Sequence, residues 1–363
     1  MEKFTLDKSS LKKSLDKVDN NGLIADFYDW LGSVTDDPVL ETKAKRMRLC
    51  LRYIDSDFYR FQNVKNITRV NKCRDIFCQN CQSQLAKERF FRYVPFLDSL
   101  RSDYDLYHIT FTVGNVYGDE LKSAVKKMYE KFVYIVQYFD GRRKSRFMDF
   151  SQFGFAGCVR SFEITIKMHN GKPWYHPHFH CLFVLKKDLD LKKVFYNCFS
   201  HSYKSERLRS YSRLEILLQN FWYLTYNGLP FTEKNFDEIS RGYSCTADKC
   251  RESDYHEVFK YAVGNMFRKV NSSLLTREVL NDIYVTLYRR KIIQGYGILK
   301  KFTFESEDDI KYMEEYYKEV GRLQSFEKPV AVSQTIYEVL DDMDRNVRFI
   351  SKNNKVYKEE GGE

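Results

Sequence analysis

The sequence predicts an α+β protein: an antiparallel β-sheet with flanking helices, a small cysteine-rich module before it and a helical part after it. Three observations carry this. The runs "YDLYHITFTV" (104–113), "CVRSFEITIKM" (158–168) and "HFHCLFVLKK" (178–187) are rich in β-branched and aromatic residues and read as strands. Segments with apolar residues at helical spacing follow at about 207–226, 254–268, 274–293 and 306–320. Strands grouped first and helices later describe a sheet with helices on one face. Upstream, basic and aromatic residues interleave around cysteines from 43 to 93.

Taken in order, residues 1–42 are polar with scattered apolar positions and are expected to form a loosely attached arm. Residues 43–100 form the cysteine-rich module, 101–302 the main domain and 303–363 a helical tail of mixed charge. In the main domain, "ELKSAVKKMYEKFVYIVQYF" is helical by its periodicity and stops at Gly141. In the second strand Phe162, Ile164 and Ile166 point one way, Glu163 and Thr165 the other. "NGKP" makes a turn that pairs this strand with the third as a hairpin.

The composition narrows the function. The 363 residues are 43% hydrophobic, enough for a sizeable core and one or two smaller modules. Sixty Lys and Arg against 50 Asp and Glu leave a charge of +10, and aromatics make up 16% of the chain. Positive charge combined with stacking surfaces suits nucleic acid. No 18-residue apolar run and no apolar leader is visible, so the chain is expected in the cytoplasm, without a membrane partner. There the nine cysteines read as metal ligands or buried apolar residues rather than a disulfide framework. No G-x-x-x-x-G-K-[ST] loop is present, so any unwinding activity must come from another protein.

The densest chemical signal is "HPHFH" (176–180). In a strand, residues i and i+2 share a face about 6.5 to 7 Å apart, so His178 and His180 project together and can hold one metal ion. Pro177 is expected to mark the first residue of the strand and His176 its rim. Glu163, on the polar side of the neighbouring strand, can bring a carboxylate to the same ion. Cys73, Cys78 and Cys81, with C-x2-C at the end, can hold a structural zinc, and Cys50 would complete four thiolates. Cys245 and Cys250 are a rival pair, while Cys158, Cys181 and Cys198 read as core. The basic stretches "RRKSR" (142–146) and "YRRKIIQGYGILKKF" (288–302) are candidates for contact with a DNA backbone.

"HPHFH" before an apolar strand, after "RSFEIT" and "FTVGN" strands, resembles the rolling-circle plasmid replication initiators of the HUH endonuclease superfamily. The resemblance covers roughly residues 45–302. It implies a ferredoxin- or RRM-like core and a divalent cation, Mn²⁺ or Mg²⁺, held by His178 and His180 against a scissile DNA phosphate. It also implies a tyrosine nucleophile on a later helix, one turn after a glutamate. "SDYHEVFKYAVGNMF" (253–267) offers Glu257 and Tyr261, with Tyr255 as the alternative. On a helix, Tyr255, Val258, Phe259, Ala262, Val263 and Met266 form one apolar stripe, while Glu257 and Tyr261 fall opposite it. Tyr255 is thus explained as core, and Tyr261 is the expected nucleophile, with Glu257 activating water at termination. "CRDIFCQNC" also resembles a cysteine string of these initiators, but has Phe77 and Gln79 where the family has an arginine–cysteine–proline pattern.

The resemblance implies site-specific strand nicking and joining through a 5′-phosphotyrosine. The DNA partner would be an origin hairpin exposing a single-stranded nick site, with a host helicase and polymerase following. A single-tyrosine transposase or a relaxase would use the same chemistry, but relaxases tend to place the tyrosine before the histidines. A zinc-dependent DNA-binding protein without catalysis is the rival of another class.

Overall fold

The computed structural model describes residues 4–15, 18–189, 193–200, 205–239, 245–250, 274–300 and 307–352. The chain is α+β, with antiparallel sheets flanked by helices. It divides into two compact units, Met1–Arg92 with Phe304–Glu363, and Tyr93–Thr303. The first stretch contains helices α1 (Lys8–Leu15), α2 (Val18–Thr35) and α3 (Pro38–Arg48), strands β1 (Tyr53–Tyr59) and β2 (Val64–Val70), and helix α4 (Gln79–Leu100). Next come β3 (Tyr104–Thr112), β4 (Val116–Tyr117), α5 (Gly118–Phe139), β5 (Gly157–His169) and β6 (Lys172–Lys186). The hairpin β7 (Lys193–Ser200) and β8 (Ser205–Ser212) precedes α6 (Arg213–Asn227), α7 (Glu233–Asp237) and β9 (Cys245–Lys249). The remainder is α8 (Arg277–Leu287), β10 (Ile293–Gly297), α9 (Glu307–Phe326), β11 (Val330–Thr335), α10 (Ile336–Asp344) and β12 (Arg348–Ile350). Among the described residues, no helix is long and apolar enough to cross a membrane.

In the first unit, the sheet runs β11-β1-β2-β12. The β1–β2 hairpin therefore has a strand from the C-terminal segment on each edge, which removes two exposed ladders. Successive residues of a strand face opposite ways, and the two cores of the unit follow from that. Ile350 joins Phe4, Tyr59, Val64, Tyr312, Tyr316 and Leu323 on one face, while Phe349 joins Leu11, Ile54, Ile67, Ile336 and Val339 on the other. The residues of 303–363 thus supply two strands and, in α9 and α10, a helix for each core of this unit, more than the helical tail that their periodicity suggests. Residues 18–48 likewise bury Ile24, Phe27, Tyr28, Leu40 and Met47, and Asp37 caps α3 by accepting from the Val39 amide at 2.9 Å.

In the second unit, the sheet runs β10-β5-β6-β3-β9, antiparallel throughout, with β4 on β6. Helix α5 places Leu121, Val125, Met128, Phe132, Ile135 and Phe139 on one buried face, at the three- and four-residue spacing read from the sequence. Phe132 packs edge-on against Phe111 at 5.6 Å and Phe179 at 5.3 Å. Trp222 of α6 closes the same layer against Phe111 at 5.5 Å and donates its indole N–H to the Thr112 carbonyl at 2.6 Å. Each such fully buried side chain contributes about 1.5–3 kcal/mol. One face of the sheet is thereby taken up by aromatics, and the polar residues of β5 and β6 belong to the other.

Three local expectations change. The third strand spans Lys172–Lys186, so Pro177 lies inside it. It is tolerated because the β3 ladder ends at Thr112↔His178 and the β4 ladder begins at Val116↔Tyr175, leaving no registered partner on that side. The helix expected from 207 starts at the Ser212 cap, where Ser212 and Glu215 satisfy each other's backbone amides. The helix expected over 274–293 stops at Leu287, and "IQGYG" instead forms edge strand β10, with Gly297 at φ +60 where a side chain would collide with Ala156.

Lys65 tests the joining of the two chain segments in the first unit. Its ammonium is buried between Phe58 and Phe349 and reaches Asp342 at 2.5 Å and Gln334 at 2.6 Å. Lys65→Met is expected to lower the unfolding free energy by about 2 kcal/mol, below the usual cost of breaking a buried pair because Asp342 is partly exposed. Urea denaturation of Lys65→Met and of Lys65→Met/Asp342→Leu checks this, the double variant recovering part of the loss.

Candidate metal centre and thiolate cluster

The β5–β6 hairpin closes on Asn170 and Gly171, at φ +51 and +73, the all-positive turn that the right-handed strand twist favours. From His169↔Lys172 the register runs without a break to Lys167↔Trp174, Thr165↔His176, Glu163↔His178 and Ser161↔His180. The turn anticipated from "NGKP" thereby places Glu163 directly opposite His178. One oxygen of the Glu163 carboxylate lies 3.3 Å from Nε2 of His178 and 3.0 Å from Nε2 of His180. The three ligand atoms lie within 4.8 Å of one another, with Glu163 and His178 buried.

The other ring nitrogens are engaged elsewhere. Nδ1 of His178 donates to the carbonyl of His176 at 3.0 Å, and Nδ1 of His180 is 3.1 Å from Nε2 of His108 on β3. A neutral imidazole that donates through Nδ1 presents a lone pair at Nε2. The Glu163 carboxylate and the Nε2 atoms of His178 and His180 converge, an arrangement completed either by protons on the imidazoles, which then donate to Glu163, or by a cation in their place. The donor set therefore fits a divalent ion. Burial alone would raise the Glu163 pKa, but its bonds to His178 and His180 outweigh this and hold it at about 2. His176, half-buried at the rim, bonds Asn115 at 2.5 Å, and burial together with the nearby His178 and Lys167 pushes it down to about 4.

His108 escapes a reading of the sequence. It stands alone in "DLYHITF", and only the β3–β6 register sets it beside His180, with the rings 5.3 Å apart and nearly parallel. Tyr261 and Glu257 fall outside the described residues.

The cysteines assemble in the first unit. Sγ of Cys50 is 3.5 Å from Cys78 and 3.6 Å from Cys81, and Cys73 is 3.6 Å from Cys81. All four sulfurs lie within 4.8 Å. Zinc at about 2.3 Å from each sulfur of a tetrahedron implies sulfurs about 3.8 Å apart, so this set fits zinc. Cys245 and Cys250 are buried elsewhere, in and just after β9, and Cys158 and Cys181 are buried core residues. Asp75, inside "CRDIFC", organises the cluster: it accepts from Tyr28 and the Phe77 amide, both at 2.9 Å, while Gln82 bonds its carbonyl. The amides of Arg74 and Cys81 donate to Cys81 and Cys78 sulfurs, and hydrogen bonds from Cys50 lower both of those thiols.

Comparisons with known proteins bear on the family and not on these ligands. A family model described as "Replication protein" matches residues 64–196. A "Protein rep" of Bacillus sp is 26% identical over 167 residues, 46% of this chain and 50% of the relative. A "Protein rep" of Bacillus amyloliquefaciens is 26% identical over 187 residues, 50% of this chain and 52% of the relative. The chain thus spans about half the length of the curated relatives it matches. No solved structure matches it. The likeness to replication initiator proteins drawn from "HPHFH" and its flanking strands is borne out at the level of the family.

Two outcomes follow for the sites. His108→Leu is expected to weaken Mn²⁺ binding by about 10–100-fold, the usual cost of losing a group that orients a ligand, with a smaller loss for His108→Gln, whose amide oxygen can still accept from His180. Calorimetric titration of Mn²⁺ checks it. Cys81→Ser is expected to abolish equimolar zinc in purified protein and to destabilise the first unit by several kcal/mol, read by elemental analysis and thermal melting.

Proposed function

We propose that this protein initiates rolling-circle replication by nicking and rejoining one DNA strand at an origin, and the convergence of Glu163, His178 and His180 carries the reading. These residues would hold a divalent cation, Mn²⁺ or Mg²⁺, which when bound supplies Lewis-acid stabilisation of charge developing on the scissile phosphate. Their placement on two paired strands keeps the donor atoms in one geometry.

Tyr261 supplies the nucleophile. Its oxygen forms a bond to phosphorus, the bond from phosphorus to the 3′-oxygen breaks, and the phenolic proton leaves to solvent or a nearby base. The 5′ end stays joined to the protein, and the free 3′-hydroxyl serves a polymerase. A phenol of pKa about 10 reacts slowly near neutrality without such assistance. The phosphotyrosine conserves the energy of the broken phosphodiester, so the strand can be rejoined. At termination Glu257 takes a proton from the attacking water. The substrate is unpaired DNA, since a base-paired strand cannot thread between the phosphate site and a tyrosine. Zinc at Cys50, Cys73, Cys78 and Cys81 holds the first unit in shape, and the basic stretches 142–146 and 288–302 supply contacts to the DNA backbone that weaken as salt rises.

The protein incubated with Mn²⁺ and an oligonucleotide carrying the inverted repeat beside its gene should give a protein–DNA adduct that survives denaturation. Tyr261→Phe should abolish the adduct without loss of oligonucleotide binding. Absence of any adduct with the unaltered protein would favour a DNA-binding protein without catalysis, and an adduct that persists in Tyr261→Phe would move the nucleophile to another residue.

A further inference from the structure

The polar face of the β5–β6 hairpin does not end at the metal ligands. The same register that places Glu163 opposite His178 places Lys167 opposite Trp174 and His169 opposite Lys172. Residues two apart on a strand share a face, so Trp174, His176, His178 and His180 lie in one row, with Glu163, Thr165, Lys167 and His169 in the row beside it. Strand β4 sets Tyr117 opposite Trp174 from the other side.

At the far end of these rows the aromatic rings gather. The His169 ring stacks on Trp174 at 4.7 Å, with 26° between the planes, and its Nδ1 is 2.7 Å from the Tyr117 hydroxyl. Lys167, His169 and Lys172 are exposed and Trp174 and Tyr117 are half-exposed. The fold makes no use of these rings as core: the aromatics that α5 covers, Phe162 and Phe179, belong to the opposite face. A half-exposed tryptophan stacked on a histidine, with Lys167 opposite it and Lys172 two residues before it on the same face, offers an apolar ring and positive charge together. Four residue steps along the strand separate it from His178, about 13 Å, a distance that a few extended nucleotides cover.

We propose that Trp174, with His169 and Tyr117 behind it and Lys167 and Lys172 beside it, is a stacking subsite for the unpaired DNA bases that flank the scissile phosphate. The occupant is single-stranded DNA for two reasons: the surface continues the face that carries the metal ligands, and its charge complements a phosphate backbone. The assignment rests on the strand-nicking reading for its placement. Its own chemistry needs only an unpaired, sequence-tolerant strand, because every base has a face to stack on.

The test uses the full chain with a fluorescein-labelled twelve-residue oligothymidylate, in buffer without added divalent ion, so that binding is measured apart from nicking. Anisotropy should show Trp174→Ala weakening binding by about tenfold or more, the effect expected of a base–aromatic stack. Trp174→Phe should restore most of the affinity, since a phenyl ring still stacks, whereas a merely structural role would separate the two variants by melting temperature instead. Unlabelled oligothymidylate should quench the tryptophan emission of the unaltered protein and leave that of Trp174→Ala unchanged. Equal affinity of Trp174→Ala and the unaltered protein would overturn the subsite while leaving the nicking reading intact. Failure of the unaltered protein to bind both the oligothymidylate and the origin hairpin would overturn both readings.

Discussion

The two-residue turn at Asn170 and Gly171 is the constraint on which the site depends. It sets the register of β5 and β6, and strand side chains alternate with a period of two. A slip of one residue would therefore carry Glu163 to the aromatic side and Phe162 to the histidine side. The turn is held to its register by what each face demands. Phe162 and Phe179 must meet α5, and in the same register Glu163 meets His178. The packing that stabilises the sheet and the geometry that assembles the ligands are thus one arrangement, seen from its two sides.

The energetic cost of the site falls on its polar face. Three groups with lone pairs converge in a largely buried place, and burial by itself would drive the carboxylate toward its neutral form. The two imidazoles reverse that for Glu163, and their own orientations come from a backbone carbonyl and from His108. The aromatic layer beneath leaves the site little freedom to relax. The donor set is thus preorganised: its geometry is set by the strand pairing and the aromatic layer.

The thiolate cluster obeys a different logic. Its four sulfurs come from the end of α3, the loop after β2 and the first turn of α4, and no ladder sets their spacing. Asp75 does that work: one carboxylate oxygen accepts from Tyr28 and from the Phe77 amide, tying the cysteine loop to α2. The unit around it gains its outer strands from the far end of the sequence, so this small core is closed by residues more than 250 positions apart, as the 269-residue separation of Lys65 and Gln334 illustrates.

Much was legible in the sequence because it was local. The alternation in "RSFEIT", the turn in "NGKP" and the paired histidines of "HPHFH" specify a hairpin and its polar face, and the periodicity of residues 120–139 specifies α5. The likeness to replication initiators follows from those same strings, and the positions of Tyr261 and Glu257 rest on it and on helical spacing alone. Other features were not legible because their partners are distant. His108 becomes relevant only when β3 pairs with β6, Asp75 only when α2 brings Tyr28 to the cysteine loop, and the C-terminal strands only when they find the edges of β1 and β2. Pro177 was misplaced as a strand start because its tolerance depends on a gap between two neighbouring strands. Local propensity determined which segments form and which way their side chains alternate; long-range pairing decided which of those faces meet, because register between distant strands is set by the packing of both sides at once.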